Sequence, residues 1–129
     1  MEFREPQAIY RQIGDYICEQ ILRGSWPEGD RIPSIRELAV EVEVNPNTVT
    51  RTYVHLQERG IISKQRGIGY FVAENGFDET REHQRRDFVE HELPRVFGTL
   101  EMLKMDIADL QALYDEYRAA RGEQHEAKQ

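Results

Sequence analysis

The spacing of apolar residues along the chain predicts short amphipathic helices and one β-hairpin. Isoleucine recurs at every fourth position from Ile9 to Ile21, which predicts a first helix that ends at Gly24. Beyond residue 60 the period shortens, and residues 61–64 and 70–72 form short β-type runs around a glycine-rich segment. The pattern therefore predicts a helix near the start of the chain and a hairpin near its middle.

Two more short helices, joined by a tight turn, are predicted between these elements. Ser34 and Glu37 have the spacing of a capping box, in which each side chain accepts a hydrogen bond from the backbone N–H of the other residue. Asn45 and Pro46 are typical of a helix N-cap and a first helical position, and Gly60 is typical of a helix end. Helix, turn, helix and hairpin in this order predict a winged helix-turn-helix.

The last part of the chain carries a heptad-like seam of apolar residues. These residues are Val89, Leu93, Val96, Leu100 and Leu103. Pro94 interrupts the seam, so a kink or a restart of the helix is expected there, and Asp106 and Asp109 form a second capping box that begins the last helix. The seam can pack on the last helix of the same chain, on a second chain, or on both. Because one helix hairpin buries too little apolar surface to be stable alone, we expect the seam and Leu110 to form a homodimer interface.

Composition and charge narrow the function classes. The chain has 129 residues, with 17 Lys and Arg against 24 Asp and Glu, so it is not a wholly basic nucleic-acid coat. Residues 44–72 nevertheless form a local positive segment. No apolar run is long enough for a membrane span or a signal core, which predicts a cytoplasmic protein that does not contact a membrane. A single cysteine, Cys18, excludes an internal disulfide and a cysteine metal cage.

The second helix of the helix-turn-helix and the hairpin tip carry the candidate chemistry. Small hydroxyls and amides let a helix approach double-stranded DNA closely, an arginine reaches guanine or phosphate, and the N–H groups of Asn47 and Thr48 favour a phosphate. A thin cationic hairpin tip suits a minor groove. The candidate DNA-binding residues are Asn47, Thr48, Thr50 and Arg51 on the helix, and Arg66, Gly67 and Gly69 on the hairpin.

The predicted fold class is mainly α with a small β-hairpin: a winged helix-turn-helix followed by a C-terminal antiparallel two-helix dimerisation element. The predicted organisation is a winged helix-turn-helix DNA-binding domain over residues 1–75, a helical dimerisation region over residues 76–122 and a disordered tail over residues 123–129.

Simpler interpretations exist for each feature taken alone. A helix that begins with Thr and Asn is often merely capped, and a glycine-rich hairpin tip is often only a turn. His83, Asp87 and His91 share a helical face that could bind a transition metal, but a solvated polar face is the more common use of this spacing, so no metal site is predicted. No catalytic constellation or phosphate-binding loop is present, which predicts no enzyme activity and no cofactor.

Residues 7–73 resemble the N-terminal DNA-binding domain of the GntR family of bacterial transcription regulators. The resemblance is carried by residues 9–13, Gly24, residues 29–39, 44–49, Leu56, 60–62 and 66–72. The Ile-Tyr-x-Gln-Ile opening, the Asn-Pro-Asn-Thr-Val helix start and the short tail resemble the YtrA-like subfamily, whose members carry two C-terminal helices used for dimerisation.

The resemblance implies DNA contacts from Arg36 and from the candidates on the recognition helix and the wing. Some branches of the family have an arginine where Thr50 stands here, and the wing commonly carries a threonine and a second basic residue where this chain has Ile68 and Tyr70. The implied function is a homodimeric repressor of a transporter-type operon that binds inverted half-sites. A small-molecule effector of unknown identity is one candidate for the signal that controls this regulator. The alternative is a protein-binding winged-helix adaptor without DNA specificity.

Overall fold

The computed structural model describes residues 8–127, with side chains described for residues 8–122. Two compact units divide the chain, and they are called here the first unit, up to Arg86, and the second unit, from Asp87 onward. The elements are α1 (Ile9–Leu22), α2 (Ile35–Val42), α3 (Pro46–Glu58), β1 (Ile62–Gln65), β2 (Gly69–Val72), α4 (Gly76–Asp87), a π-helical turn (Phe88–Glu92), α5 (Leu93–Met102) and α6 (Ile107–Ala127).

The isoleucine repeat of α1 forms one side of the core of the first unit. Ile13, Ile17 and Ile21 are almost completely buried, as the four-residue period predicts. Cys18 is buried beside them and packs as a small apolar residue. The core is completed by Ile32, Leu38, Ala39, Val42, Val49, Tyr53, Leu56, Ile61, Ile62 and Val72.

The two helices of the helix-turn-helix, α2 and α3, begin at the predicted N-caps. The capping box of α2 is confirmed: the Glu37 N–H donates to the Ser34 hydroxyl at 3.1 Å, and the Ser34 N–H donates to the Glu37 carboxylate at 2.9 Å. Glu43 ends α2 in the left-handed region, at φ 57°, and this turns the chain toward α3. Asn45 caps α3 and Pro46 lies in its first turn, as predicted.

The wing is an antiparallel hairpin with a short third partner. The register of β1 and β2 pairs Ile62 with Val72 and Gln65 with Gly69. The extended piece before α2 joins this hairpin through an isolated bridge between Arg31 and Phe71. A small sheet therefore ties the α1–α2 connection to the wing, and the predicted winged helix-turn-helix is confirmed.

In the second unit, Pro94 produces a wide turn rather than a break. The Leu93 N–H donates to the Phe88 carbonyl, which is the i to i−5 bond of a π-helical turn, and α5 begins at Leu93. Proline has no N–H and its ring crowds the carbonyl four residues earlier, so a wider turn accommodates it. The predicted capping box of α6 is confirmed, since the backbone N–H groups of Asp106 and Asp109 each donate to the other side chain.

Apolar side chains of the second unit remain largely exposed. Leu100 is the buried member of the predicted seam, whereas Val89 is 42% and Leu103 is 60% exposed. Along α6, Leu110 is half-buried, and the other side chains from Ile107 to residue 122 are exposed. The assignment of the seam to a dimer interface stays a prediction at this point.

The predicted domain boundaries stay predictions. Residues 1–7 and 128–129 lie outside the described residues, and the side chains of the predicted tail, residues 123–129, lie outside them too, although the backbone of α6 continues to Ala127. Among the described helices, none has the length and apolar character needed to cross a membrane.

Candidate nucleic-acid interface

One face of α3 is polar and open to solvent, and the opposite face anchors the helix. Val49, Tyr53 and Leu56 are buried in the core, and Thr52 is buried with them. The candidates Asn47, Thr50 and Arg51 are exposed and Thr48 is half-buried. The 3.6-residue period places Asn47, Thr50 and Arg51 on one side of the helix, so this part of the predicted set shares a face.

The backbone at the start of α3 differs from the expectation of a free phosphate site. The Asn47 N–H donates to the Asn45 side chain at 2.8 Å, and the Thr48 N–H donates to the Asn45 carbonyl at 2.9 Å. Because both N–H groups already have a partner, they are not open donors for a phosphate. The Thr50 hydroxyl donates to the Pro46 carbonyl at 3.0 Å, which leaves its oxygen lone pairs as acceptors.

Arg51 does not extend freely from α3, because it stacks on a residue of α1. Its guanidinium carbon lies 3.9 Å from the centre of the Tyr10 ring. The Arg11 Nε–H donates to the Tyr10 hydroxyl at 3.3 Å, and this bond, together with the charges of Arg11 and Arg51, lowers the pKa of Tyr10. The buried Thr52 hydroxyl donates to the Tyr10 carbonyl at 2.8 Å. Consecutive residues of α3 thus hold Tyr10 by its ring and by its backbone.

The wing tip is a tight turn that presents one arginine. The Ile68 N–H donates to the Gln65 carbonyl at 2.9 Å, and Gly67 has a φ of 76°, which a side chain would strain. Arg66 and Gly67 are exposed at the tip. This geometry leaves the Arg66 side chain and the Gly67 backbone accessible.

Gly69 is covered by an arginine that the sequence did not single out. A Cβ atom placed on Gly69 would lie 3.0 Å from the Nε of Arg31, so the guanidinium rests on the bare backbone of the wing. Lys64 extends the same cationic region, with its Nζ 5.7 Å from the centre of the Tyr70 ring. The wing therefore has two additional cations nearby, Arg31 and Lys64. The bridge of Arg31 to Phe71 links positions far apart in sequence, and no local signal predicts it.

Tyr53 connects the recognition helix to both of its neighbours. Its hydroxyl donates to the Pro33 carbonyl at 2.6 Å, and its ring centre lies 4.8 Å from that of Tyr70 in an edge-to-face contact. Burial raises the pKa of Tyr53, so it stays a neutral donor. Arg36 lies exposed in the first turn of α2, just after this connection. Helix α3, the segment before α2 and the wing are thus fixed to a common buried ring.

The histidines do not form a metal centre in the described part of the chain. No group of three metal-ligating side chains that could hold an ion is found among the described residues. The His83 ring instead lies edge-on to His55, with centroids 6.0 Å apart. The His91 Nε2 lies 3.7 Å from an Asp87 carboxylate oxygen at the surface.

Comparison with known proteins supports a single family. Residues 9–72 match the family described as bacterial regulatory proteins, gntR family. The HTH-type transcriptional regulator YhcF of Bacillus subtilis is 38% identical over 91 residues, which cover 69% of this chain and 75% of YhcF. The HTH-type transcriptional repressor YtrA of the same organism is 43% identical over 72 residues, covering 56% of this chain and 55% of YtrA.

A solved structure extends the similarity beyond the first unit. A GntR family transcriptional regulator from Listeria monocytogenes matches with a TM-score of 0.73 and 31% identity. The match covers 88% of this chain and 98% of the Listeria chain. The fold of the second unit is therefore part of the similarity.

Proposed function

The chain belongs to the gntR family of bacterial regulatory proteins, and from that premise we propose that it acts as a homodimeric, sequence-specific repressor. The family and its YtrA-like branch make it a DNA-binding transcriptional regulator rather than an enzyme. The finer proposal is a cytoplasmic repressor of a transporter-type operon that occludes its promoter by binding inverted half-sites. The name of the relative YtrA, a transcriptional repressor, supports the sign of this regulation.

The observation that carries the proposal is the exposed polar face of α3 beside a cationic wing. Asn47 and Thr50 are exposed on a helix whose other face is locked into the core, so their side chains can meet base edges without a rearrangement of the fold. Arg66 at the wing tip suits the negative potential of a minor groove. We assign base contacts to Asn47 and Thr50 and a backbone or minor-groove contact to Arg66.

The exposed apolar side chains of the second unit support the homodimer. Large apolar residues that are at least a third exposed occur on the π-helical turn, on α5 and the residue that caps its end, and on α6. They are Phe88, Val89, Val96, Phe97, Met102, Leu103, Ile107, Leu113, Tyr114 and Tyr117. Large apolar side chains left exposed in such number are typical of an interaction site, and a long helix with few packed side chains is marginal in water. A second copy of the chain would cover this surface and give each DNA half-site its own α3.

Selection of binding sites from random DNA tests the proposed function. The full-length protein is used to select a duplex of about 30 base pairs, long enough for half-sites one helical turn apart. We expect the affinity for this duplex to exceed that for a scrambled duplex and to fall steeply as salt rises. Asn47→Ala should weaken binding to the selected duplex about tenfold, whereas Gln57→Ala, an exposed amide at the other end of α3, should not.

A protein-binding adaptor without DNA specificity would give a different result. Its affinity for the selected and the scrambled duplex would be equal and weak, and Asn47→Ala would change neither. That outcome would reject the repressor proposal.

A further inference from the structure

The contact between Arg51 and Tyr10 assigns a role to α1 that goes beyond the recognition helix. We propose that Tyr10, Arg11 and Arg51 form a clamp for one phosphate group of the DNA backbone, in which Tyr10 is the positioning residue. The inference rests on the proposed function, because it names how the same protein holds the edge of its site. It assigns Arg51 to the backbone rather than to a base.

Arg51 is exposed, and its guanidinium plane lies against Tyr10. The guanidinium carbon is 3.9 Å from the centre of the Tyr10 ring, and a side-chain hydrogen bond joins Arg51 to the phenol, so the remaining N–H groups of the five can reach an anion. The N–H groups of arginine point outward in that plane and match a phosphate bidentately. A stacked arginine has also lost much of its side-chain freedom before DNA arrives, and this lowers the cost of binding.

The anchor of Tyr10 makes this position well defined. Its carbonyl accepts a hydrogen bond from the buried Thr52 hydroxyl at 2.8 Å, and the ring contacts His55 edge-on at 6.0 Å between centroids. Gly14 lies one turn further along α1, and a Cβ atom built on it would lie 3.7 Å from the Thr52 methyl carbon. Helices α1 and α3 therefore pack closely at this point. Three residues of α3 therefore fix Tyr10: Thr52 binds its carbonyl, His55 contacts its ring edge-on, and Arg51 lies over its ring.

A second cation at the same phenol favours an anion over a base edge. The Arg11 Nε–H donates to the Tyr10 hydroxyl at 3.3 Å, which brings two guanidinium groups to one ring. The hydrogen bond from Arg11 and the positive charges of Arg11 and Arg51 lower the pKa of Tyr10, so the surroundings of the phenol favour a negative charge. Because Arg51 extends from the exposed face of α3 onto Tyr10 of α1, we assign it to the DNA backbone rather than to a base edge.

Salt titrations on matched duplexes test the clamp. The variants are Arg51→Ala, Tyr10→Leu, which removes the ring, and Tyr10→Phe, which keeps it. Binding is measured on the selected duplex and on a scrambled duplex of the same length. Arg23→Ala is the control, because Arg23 is a surface arginine at the far end of α1 that pairs with Glu19. Melting temperatures of all variants are measured without DNA.

A phosphate clamp predicts equal losses on both duplexes. Arg51→Ala and Tyr10→Leu should each weaken binding about five- to tenfold on both, and lower the slope of log K against log salt by about 0.9. The double variant Arg51→Ala/Tyr10→Leu should bind no more weakly than Arg51→Ala alone. Tyr10→Phe keeps the ring and loses only the hydroxyl that Arg11 contacts, so its salt slope should stay close to that of the wild type. Arg23→Ala should bind like the wild type.

Other outcomes overturn the clamp and leave the repressor proposal intact. If Arg51→Ala weakens only the selected duplex, Arg51 reads a base. If Tyr10→Leu keeps wild-type affinity, or if its loss adds fully to that of Arg51→Ala, Tyr10 does not position Arg51. If Tyr10→Leu loses affinity together with a lowered melting temperature, and Arg51→Ala binds DNA like the wild type, Tyr10 has only a structural role. The proposed function itself fails only if the wild type does not prefer the selected duplex.

Discussion

The two units of the chain bury their apolar residues to very different extents. In the first unit, the buried set is almost completely inaccessible to water and includes Ile13, Ile17 and Ile21 of α1, Leu38 of α2 and Tyr53 of α3. In the second unit, Leu100 is buried, whereas Phe97 and Leu113 are about half exposed, at 45% and 50%. One unit has a closed core, and the other has amphipathic helices with uncovered faces.

This difference distinguishes a DNA-binding unit that forms its own core from a unit for which we propose a second chain as partner. A closed core of interlocked helices and a hairpin positions the candidate DNA-binding side chains within one chain. Uncovered helices gain most of their stability from tertiary packing, which a second chain can supply. Substitutions in the first unit are therefore expected to change its own stability, and those in the second unit to change association.

The largest expected effect is loss of the dimer in Val96→Glu. If Val96 lies at the interface, two copies of an unpaired carboxylate enter an apolar seam, and the dissociation constant of the dimer should rise more than 100-fold, a cost of about 3 kcal/mol or more. Sedimentation at micromolar concentration should show the dimer for the wild type and a 15.2 kDa monomer for the variant.

Val40→Glu is the matched control for this substitution. Val40 is 80% exposed on α2 of the first unit, so a carboxylate there stays in water and should leave the dimer intact. A wild-type protein that sediments as a monomer would contradict the comparison between the units, as would equal association of Val96→Glu and the wild type.

A core truncation in the first unit should have the next largest effect. Leu38→Ala removes buried methyl groups from a fully enclosed site, so the unfolding free energy of the first unit should fall by about 2–5 kcal/mol. Leu113→Ala, at a half-exposed site, should leave amide exchange in residues 8–86 unchanged and speed exchange in α6. Hydrogen exchange measured by mass spectrometry separates the two regions, and faster exchange in the first unit for Leu113→Ala would argue against independent units.

The two capping boxes offer a smaller and paired test. Ser34→Ala removes the acceptor for the Glu37 N–H and should cost the first unit about 1 kcal/mol, visible as a lower melting temperature. Asp106→Ala removes the equivalent acceptor at the start of α6. It should lower helical content and weaken association while the melting of the first unit stays unchanged. Equal shifts of that melting transition in both variants would contradict the division.

The smallest predicted effect is a pH dependence confined to the first unit. Burial, and then the nearby Arg59, hold the pKa of His55 below its ordinary value of 6.5. The unfolded chain then takes up the proton first, so stability is lost as the pH falls below about 6.5. His55→Gln should flatten this part of the melting-temperature profile. A profile with the same acid slope in His55→Gln and the wild type would refute the assignment.

Sequence reasoning succeeded where the interacting residues are neighbours in the chain. Ser34 with Glu37, and Asp106 with Asp109, are three residues apart, and their caps follow from local chemistry. The Asn45 cap was also predicted, yet its consequence was missed, since the same cap occupies the N–H of Asn47 that was offered to a phosphate.

Contacts between distant positions could not be predicted in this way. The stacking of Arg51 on Tyr10 and the cover of Gly69 by Arg31 depend on how α1, α3 and the wing pack together. Tyr10 directly follows Ile9 of the isoleucine repeat, which accounts for its partial burial but not for the guanidinium against its ring. Likewise, Pro94 signalled a distortion without indicating that a π-helical turn would absorb it.

The most direct test asks whether the winged helix-turn-helix units of two chains bind one duplex together. It combines hydroxyl-radical footprinting of the selected duplex with native mass spectrometry of the same complex. We predict two chains per duplex and two protected stretches with inverted symmetry, spaced by about one helical turn. One chain per duplex with a single protected stretch would contradict the account.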